Sequence, residues 1–179
     1  MVAYHDTEWG VPVSDDRLHF EFLVLDTFQA GLSWAVILHR REAFRQAFKN
    51  FYPHIVSSFD NDRMNRLMNN VSIVRNRAKI EATVSNAARF LEVQSEFGTF
   101  DAFIWSFTEG RTIRNRWPDT GDVPAFTRES ERMSEALRRR GFRFVGPTVC
   151  YAYMQGAGIV NDHVTSCFRH EEVSRLARR

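Results

Sequence analysis

Residues Asp60 to Gly98 read DNDRMNRLMNNVSIVRNRAKIEATVSNAARFLEVQSEFG, and their spacing predicts two helices joined by a short turn. Asp60 is placed to accept from the first free amides of a helix carrying Met64, Leu67 and Met68. The run Asn69, Asn70, Val71 and Ser72 breaks it, and a longer helix follows with Ile80, Val84, Ala87 and Leu91 on one face, closed by Gly98. Arg75, Arg77 and Lys79 crowd the start of the second helix. Its unbonded amides and positive dipole, next to these cations, form a place where a phosphate can sit, a way to grip a nucleic-acid backbone without reading bases. An ordinary helical hairpin with a solvated basic end accounts for the same residues.

The helical period continues on both sides. Ser14 reads as an N-cap with Asp15 and Asp16 in the first turn, and Leu18, Phe22, Leu25 and Gln29 then share a face until Gly31. Ser33 is placed to cap a helix through Trp34, Ile37, Leu38, Phe44, Phe48 and Phe51 that Pro53 ends. Phe103, Ile104 and Phe107 fall on another short helix. Residues 110–126, with Gly110, Pro118, Gly121 and Pro124, read as an irregular connection and the best candidate for a mobile loop. Thr127 caps a helix with Met133 and Leu137 that ends at Gly141, and Pro147 begins a last one with Val149, Tyr153, Ala157 and Val160. No alternating strand pattern, repeat or linker interrupts this series. The expectation is an all-α chain with a single domain over residues 1–179.

Composition bounds the function classes. The chain has 179 residues, 44% of them apolar and 13% aromatic, enough for one sizeable core. No stretch approaches the roughly 20 apolar residues of a membrane span, and Met1 to Gly10 lack the regions of a signal peptide, so the expected location is cytoplasmic, with no membrane partner. Two cysteines, Cys150 and Cys167, do not make a disulfide framework, leaving packing or metal ligation. The net charge of +2 conceals clusters at Arg75–Lys79, at Arg111, Arg114 and Arg116, and at Arg138, Arg139, Arg140 and Arg143. These suit a polyanion, although arginines on solvated helix faces read the same way.

Three further constellations could carry chemistry. In Phe-Leu-Val-Leu-Asp-Thr-Phe-Gln-Ala-Gly-Leu-Ser-Trp, Phe22 to Trp34, the carboxylate of Asp26 intrudes on an apolar run. A buried acid without a partner is costly, and an acid facing a cavity beside aromatic planes such as Tyr4, Trp9 and Trp34 suits a flat cationic heterocycle; the same aromatics are otherwise core. At the ends of the chain, His5 and Asp6 are set against Asp162, His163 and Cys167. His163 and Cys167, four apart, can face one ion from a helix or its frayed end, and His5 would make a third zinc ligand; hydrogen-bonded histidines and a buried thiol are the alternative. Gly141-Phe-Arg-Phe-Val-Gly-Pro-Thr is either a second phosphate contact or a simple helix connection.

Tyr4 to Gly10 (YHDTEWG), Gln29 to Trp34 (QAGLSW), Ile73 to Ile80 (IVRNRAKI), Gly141 to Gly146 (GFRFVG) and Asn161 to His163 (NDH) together resemble, in order and over essentially the whole chain, the signatures of the DNA-3-methyladenine glycosylase I family. The resemblance implies an all-α helix-hairpin-helix DNA glycosylase fold. It implies a monomeric, monofunctional base-excision repair enzyme that acts on double-stranded alkylated DNA and hydrolyses the N-glycosidic bond of 3-methyladenine, with water as acceptor. It assigns to Asp26 the place of a glutamate that hydrogen-bonds the flipped base, and to Tyr4, Trp9 and Trp34 the base pocket. Gly31 and Leu32 match the residues that fill the gap left by the extruded nucleotide. Ile73, Arg75, Arg77, Lys79 and Arg143 fall among the DNA contacts, and His5, His163 and Cys167 match three ligands of a structural zinc, bringing residues 1–10 and 161–170 together.

Three departures from the family pattern stand out. Its first zinc ligand is a cysteine upstream of the position of His5, and the expected set here is therefore three residues and incomplete. Asp26 is one methylene shorter than the usual glutamate, and Ser72 replaces a hairpin glycine. Two rival readings compete with the glycosylase. A metal-dependent phosphohydrolase using both His-Asp pairs is opposed by Cys167, because hard metals gain nothing from a thiolate. A catalytically impaired or non-catalytic helix-hairpin-helix DNA-binding protein is opposed by Asp26.

Overall fold

The computed structural model describes residues 1–178, which form eleven α-helices and one pair of very short strands. The helices are α1 (Val2–Thr7), α2 (Asp16–Gln29), α3 (Trp34–His39), α4 (Arg41–Ala47), α5 (Pro53–Val56), α6 (Asn61–Met68), α7 (Arg77–Phe97), α8 (Phe100–Trp105), α9 (Arg128–Arg139), α10 (Pro147–Gly156) and α11 (Phe168–Leu176). The expected all-α class therefore holds. The two strands, β1 (Ile113–Arg114) and β2 (Val160–Asn161), pair in parallel and are too short for any sequence period to announce them.

Helix α2 lies at the centre and packs on α3, α7, α8 and α10. Every residue from His19 to Phe28 is buried, so that stretch has no solvent face. Its Phe20 meets Phe90 of α7 edge-on at 5.2 Å, and Phe28 meets Phe44 of α4 at 4.8 Å. Asp15 caps its start by accepting from the Leu18 amide at 2.8 Å. Asp16 turns the other way: its carboxylate accepts from Gln94 Nε2 (2.6 Å) and from the Phe100 and Asp101 amides (both 2.8 Å), so one side chain ties the start of α2 to α7 and to the start of α8.

The hairpin forms as its sequence requires. Asp60 accepts from the Arg63 amide at the start of α6, Asn76 from the Lys79 amide at the start of α7, and the residue that closes α7, Gly98, has φ +83°. The segment after Ser33 does not stay one helix to Pro53. It divides into α3, α4 and a 3-10 turn over Lys49–Phe51 whose three residues all have positive φ, and Pro53 opens α5. The aromatic period survives the breaks because Phe44, Phe48 and Phe51 still point into the core, which is why the sequence reads as continuous. His163 and Cys167 likewise do not share a helix: Cys167 is the N-cap of α11, and a turn closed by its amide on the Val164 carbonyl (2.9 Å) separates them.

Residues 110–126, expected as a loose connection, are fastened to the ends of the chain by the β1–β2 pair and by side chains of Asn115 and Trp117. The amino-terminal strand of backbone passes so close to Gly158 that a Cβ there would lie 2.3 Å from the Val11 carbonyl carbon, which leaves glycine as the one residue that fits. Because Asp16 supplies three bonds to two other helices, Asp16→Ala is expected to cost about 2–3 kcal/mol. In thermal denaturation this should lower Tm by roughly 5–10 °C, and an unchanged Tm would refute the role.

Candidate active site and metal cluster

Asp26 sits in the third turn of α2, 4% exposed, and neither of its oxygens accepts a hydrogen bond from the described residues; Oδ2 is fully enclosed as well. Burial without a partner holds its carboxyl well above the usual carboxylate range. The acid borders a cavity of about 210 Å³ whose walls are Tyr4, Trp9, Asp26, Gln29, Trp34, Ala152 and Gln155. That volume is sufficient for a purine-sized ring. Tyr4 comes from α1 and Trp34 from the start of α3, and their rings lie 5.5 Å apart at 57°. Burial, and then the Asp26 and Glu8 carboxylates, push the Tyr4 hydroxyl up, so it remains a neutral donor.

Helix α1 is tied to α2 by an ion network centred on one buried acid. Glu21, fully enclosed on α2, accepts from Arg41 Nε at 2.6 Å and from Arg45 Nε at 3.0 Å. Arg41 continues through its other end to Glu8 just beyond α1. Tyr4 is thereby tied to α2 through a carboxylate, a guanidinium and a second carboxylate.

A second cavity, about 400 Å³, shares Tyr4, Trp9, Trp34 and Gln155 with the first and extends to His5, His163 and Cys167. One ligand atom from each of the last three lies within 4.8 Å of the others, with His5 Nε2 and Cys167 Sγ at 3.5 Å. The Nε2 of His163 is buried and has no hydrogen-bond partner, while its Nδ1 faces Asn161 Oδ1 at 3.0 Å. Burial, and then the neighbouring His5, push the His163 imidazole down to about 4, so its ring is neutral and its enclosed nitrogen offers a lone pair. Two imidazoles and a thiol are the donor set a zinc ion prefers, and the orphaned nitrogen is what such an ion would satisfy. The rings of His5 and His163 are 5.0 Å apart, so the cluster draws the two ends of the chain together.

The remaining expected contacts divide. Gly31 has φ +82° and Leu32 projects with 39% exposure from the turn between α2 and α3, at the rim beside Trp34. Arg75 and Arg77 are exposed on the hairpin. Arg143 is exposed too, its backbone clamped at both N–H and C=O by the Asn86 side chain (2.8 and 3.0 Å). Ile73 is buried, and only its main chain could approach a phosphate. Lys79 is placed quite differently from the surface contact expected of it. It is 6% exposed, and its Nζ donates to the Phe28 and Ala30 carbonyls at 2.9 and 2.6 Å, satisfying the end of α2 where no intrahelical partner exists.

Sequence reasoning passed over Gln155 in the pocket wall. Its signal was the same as that of Asp26: a polar residue closing the apolar run Val149 to Met154 on α10.

Comparison with known proteins accords with this geometry. The methyladenine glycosylase family profile matches residues 1–170. DNA-3-methyladenine glycosylase 1 of Escherichia coli (strain K12) is 40% identical over 166 residues, covering 93% of this chain and 89% of that protein. A crystal structure of 3-methyladenine DNA glycosylase I superposes with a TM-score of 0.91 at 42% identity, covering 93% of this chain and 92% of the other. A variant of a 3-methyladenine DNA glycosylase I in complex with 3-methyladenine gives a TM-score of 0.91 at 32% identity, covering 93% and 90%. On sequence and on fold, the chain belongs to the methyladenine glycosylase family.

Proposed function

We propose that this chain is a 3-methyladenine DNA glycosylase of base-excision repair: it flips the alkylated nucleotide out of the duplex, binds the base in the Asp26 cavity and hydrolyses its N-glycosidic bond. The observation that carries the reading is Asp26, a buried carboxyl with no protein partner in the wall of a purine-sized aromatic cavity. Methylation at N3 makes the adenine ring cationic. A cation stacked near Tyr4 and Trp34 restores the stability that ionised Asp26 lacks in the empty pocket, whereas neutral adenine does not. When the C1′–N9 bond breaks, its electron pair neutralises the ring, so no strong acid is needed to protonate the leaving group. Water supplies hydroxide to C1′ and releases a proton to solvent. No residue on the pocket wall is an amine that would attack C1′, which fits a monofunctional enzyme.

On the DNA side, Leu32 fills the gap left by the extruded nucleotide and the hairpin with Arg75, Arg77 and Arg143 grips phosphates. His5, His163 and Cys167 would hold a structural zinc, whose positive charge would join α1 to the turn before α11. The protein acts as a monomer, in the cytoplasm of its cell. No described helix is long and apolar enough to cross a membrane.

The deciding assay is release of 3-methyladenine from methylated duplex DNA. Wild type is expected to release it and Asp26→Asn to lose at least about a hundredfold in kcat/KM; a folded wild type that binds DNA and releases no base would leave only the DNA-binding reading. The same substitution has a signed effect on stability. The folded-state pKa of Asp26 lies above the unfolded value, so its ionisation opposes folding, and the penalty is absent at low pH and grows as pH rises through the folded value. Asp26→Asn should therefore raise Tm at neutral pH, by about 3 °C for each kcal/mol recovered, and have no such effect near pH 3.

Freshly purified protein is expected to carry one zinc per chain, and His163→Ala to lose it, with elemental analysis as the readout; metal-free wild type rejects the zinc site. Lys79 and Arg75 should separate cleanly. Lys79→Met is expected to lower Tm, because it uncaps α2, while Arg75→Ala leaves Tm unchanged, weakens DNA binding and reduces its dependence on salt concentration by about one phosphate contact.

A further inference from the structure

Gln155 lines the base cavity from α10, and its amide is not free to rotate. Its Nε2 donates to Asp162 Oδ2 at 2.8 Å. Asp162, 3% exposed, accepts three further bonds: from Tyr151 Oη at 2.6 Å on the same oxygen, and from Asn115 Nδ2 (2.6 Å) and Trp117 Nε1 (2.8 Å) on Oδ1. All four acceptor positions of the carboxylate are filled by neutral donors. A carboxylate offers only acceptors to its neighbours, so the nitrogen of the Gln155 amide must face it and the oxygen must face away. That oxygen accepts no hydrogen bond from the described residues and is not among the fully enclosed polar atoms, and Gln155 lines the cavity that Asp26 borders as well as the second one.

We infer that Gln155 is a specificity-determining residue of the base pocket, presenting Oε1 as a fixed second acceptor, beside Asp26, for the exocyclic amino group of the bound base. The inference rests on the glycosylase reading above and deepens it. Two acceptors in one wall favour an alkylated purine that carries an amino group over one that carries an oxo group at the same position, because the oxo oxygen would meet a lone pair with no hydrogen between them. The four donors around Asp162 come from the segment just after β1 and from α10, so they also explain why residues 115 and 117 are drawn against the end of the chain. Asp162 acts through Gln155 and is a positioning residue.

The test uses duplex DNA methylated to contain both 3-methyladenine and 3-methylguanine, with released bases separated by chromatography. Gln155→Met keeps the volume and removes the acceptor; it should lower kcat/KM for 3-methyladenine about tenfold and lower the 3-methyladenine to 3-methylguanine ratio by a similar factor. Gln155→Leu should do the same and serves if the methionine variant does not fold. Tyr151→Phe removes a donor from Asp162 and leaves the Gln155 bond in place, so it should lower Tm and leave the ratio unchanged. A wild-type ratio retained by a folded Gln155 variant overturns the inference while the glycosylase reading stands. Wild type that releases no 3-methyladenine overturns both.

Discussion

The rest of this structure depends on the burial of α2 from His19 to Phe28. Along ten consecutive enclosed residues a charged group left unpaired costs a large part of the stability of a small protein, far more than a lone hydroxyl such as that of Thr27. Each of its charged or titratable groups but one is met from a different element. Asp16 is met by α7 and α8, His19 by Asp101 (3.1 Å) and the Tyr153 hydroxyl (2.6 Å), Glu21 by arginines of α4, and the terminal carbonyls by Lys79 of α7. The polar residues of α2 thus specify which elements surround it and in what order. Asp26 is the charged group for which the fold supplies nothing.

That same requirement links the two halves of the site. Arg41 reaches Glu21 on α2 with one face of its guanidinium and Glu8 with the other, and burial opposes its charge less than these two carboxylates support it. Removing Arg41 would leave Glu21 enclosed beside a weaker set of partners and would cut the link from Glu8 to α2. Because Tyr4 lines both cavities and its neighbour His5 lines the second, the base pocket and the metal cluster both depend on how α1 is attached. The ion network and the His5, His163 and Cys167 cluster thus meet on opposite sides of a six-residue helix too short to persist alone.

Much of this was legible in the sequence. The hairpin could be read because Asp60 and Gly98 are local signals whose effect does not depend on what packs around them. Asp26 could be read because an acid in an apolar run is an anomaly at any depth. Lys79 could not, because a lysine at a helix start looks solvated, and only the arrival of the α2 carbonyls from 49 and 51 residues away makes it a cap. The breaks around residues 40 and 49–51 were hidden for the opposite reason: the aromatic period is maintained by the core, not by the helix, so it passes through three left-handed residues without a missed beat. The orientation of Gln155 lies furthest from sequence, since it follows from four donors gathered by the segment just after β1 and by α10 around one carboxylate.

The energetic logic of the pocket runs against stability and toward selectivity. An enclosed acid without a partner lowers the stability of the empty enzyme, and normal adenine, being neutral, returns only the hydrogen bonds of its amino group. The N3-methylated base brings those same bonds and a full positive charge into a cavity from which water is largely displaced, where a charge pair counts for much more than in solution. As the glycosidic bond breaks the ring loses its charge, so the attraction to Asp26 weakens along the reaction and cannot by itself be the source of the rate. Its contribution is to selection: it favours extrusion of the cationic nucleotide over the thousands of neutral ones, leaving bond cleavage to the leaving-group ability the lesion already has. The acid that the fold does not pair is thus paired by the damage.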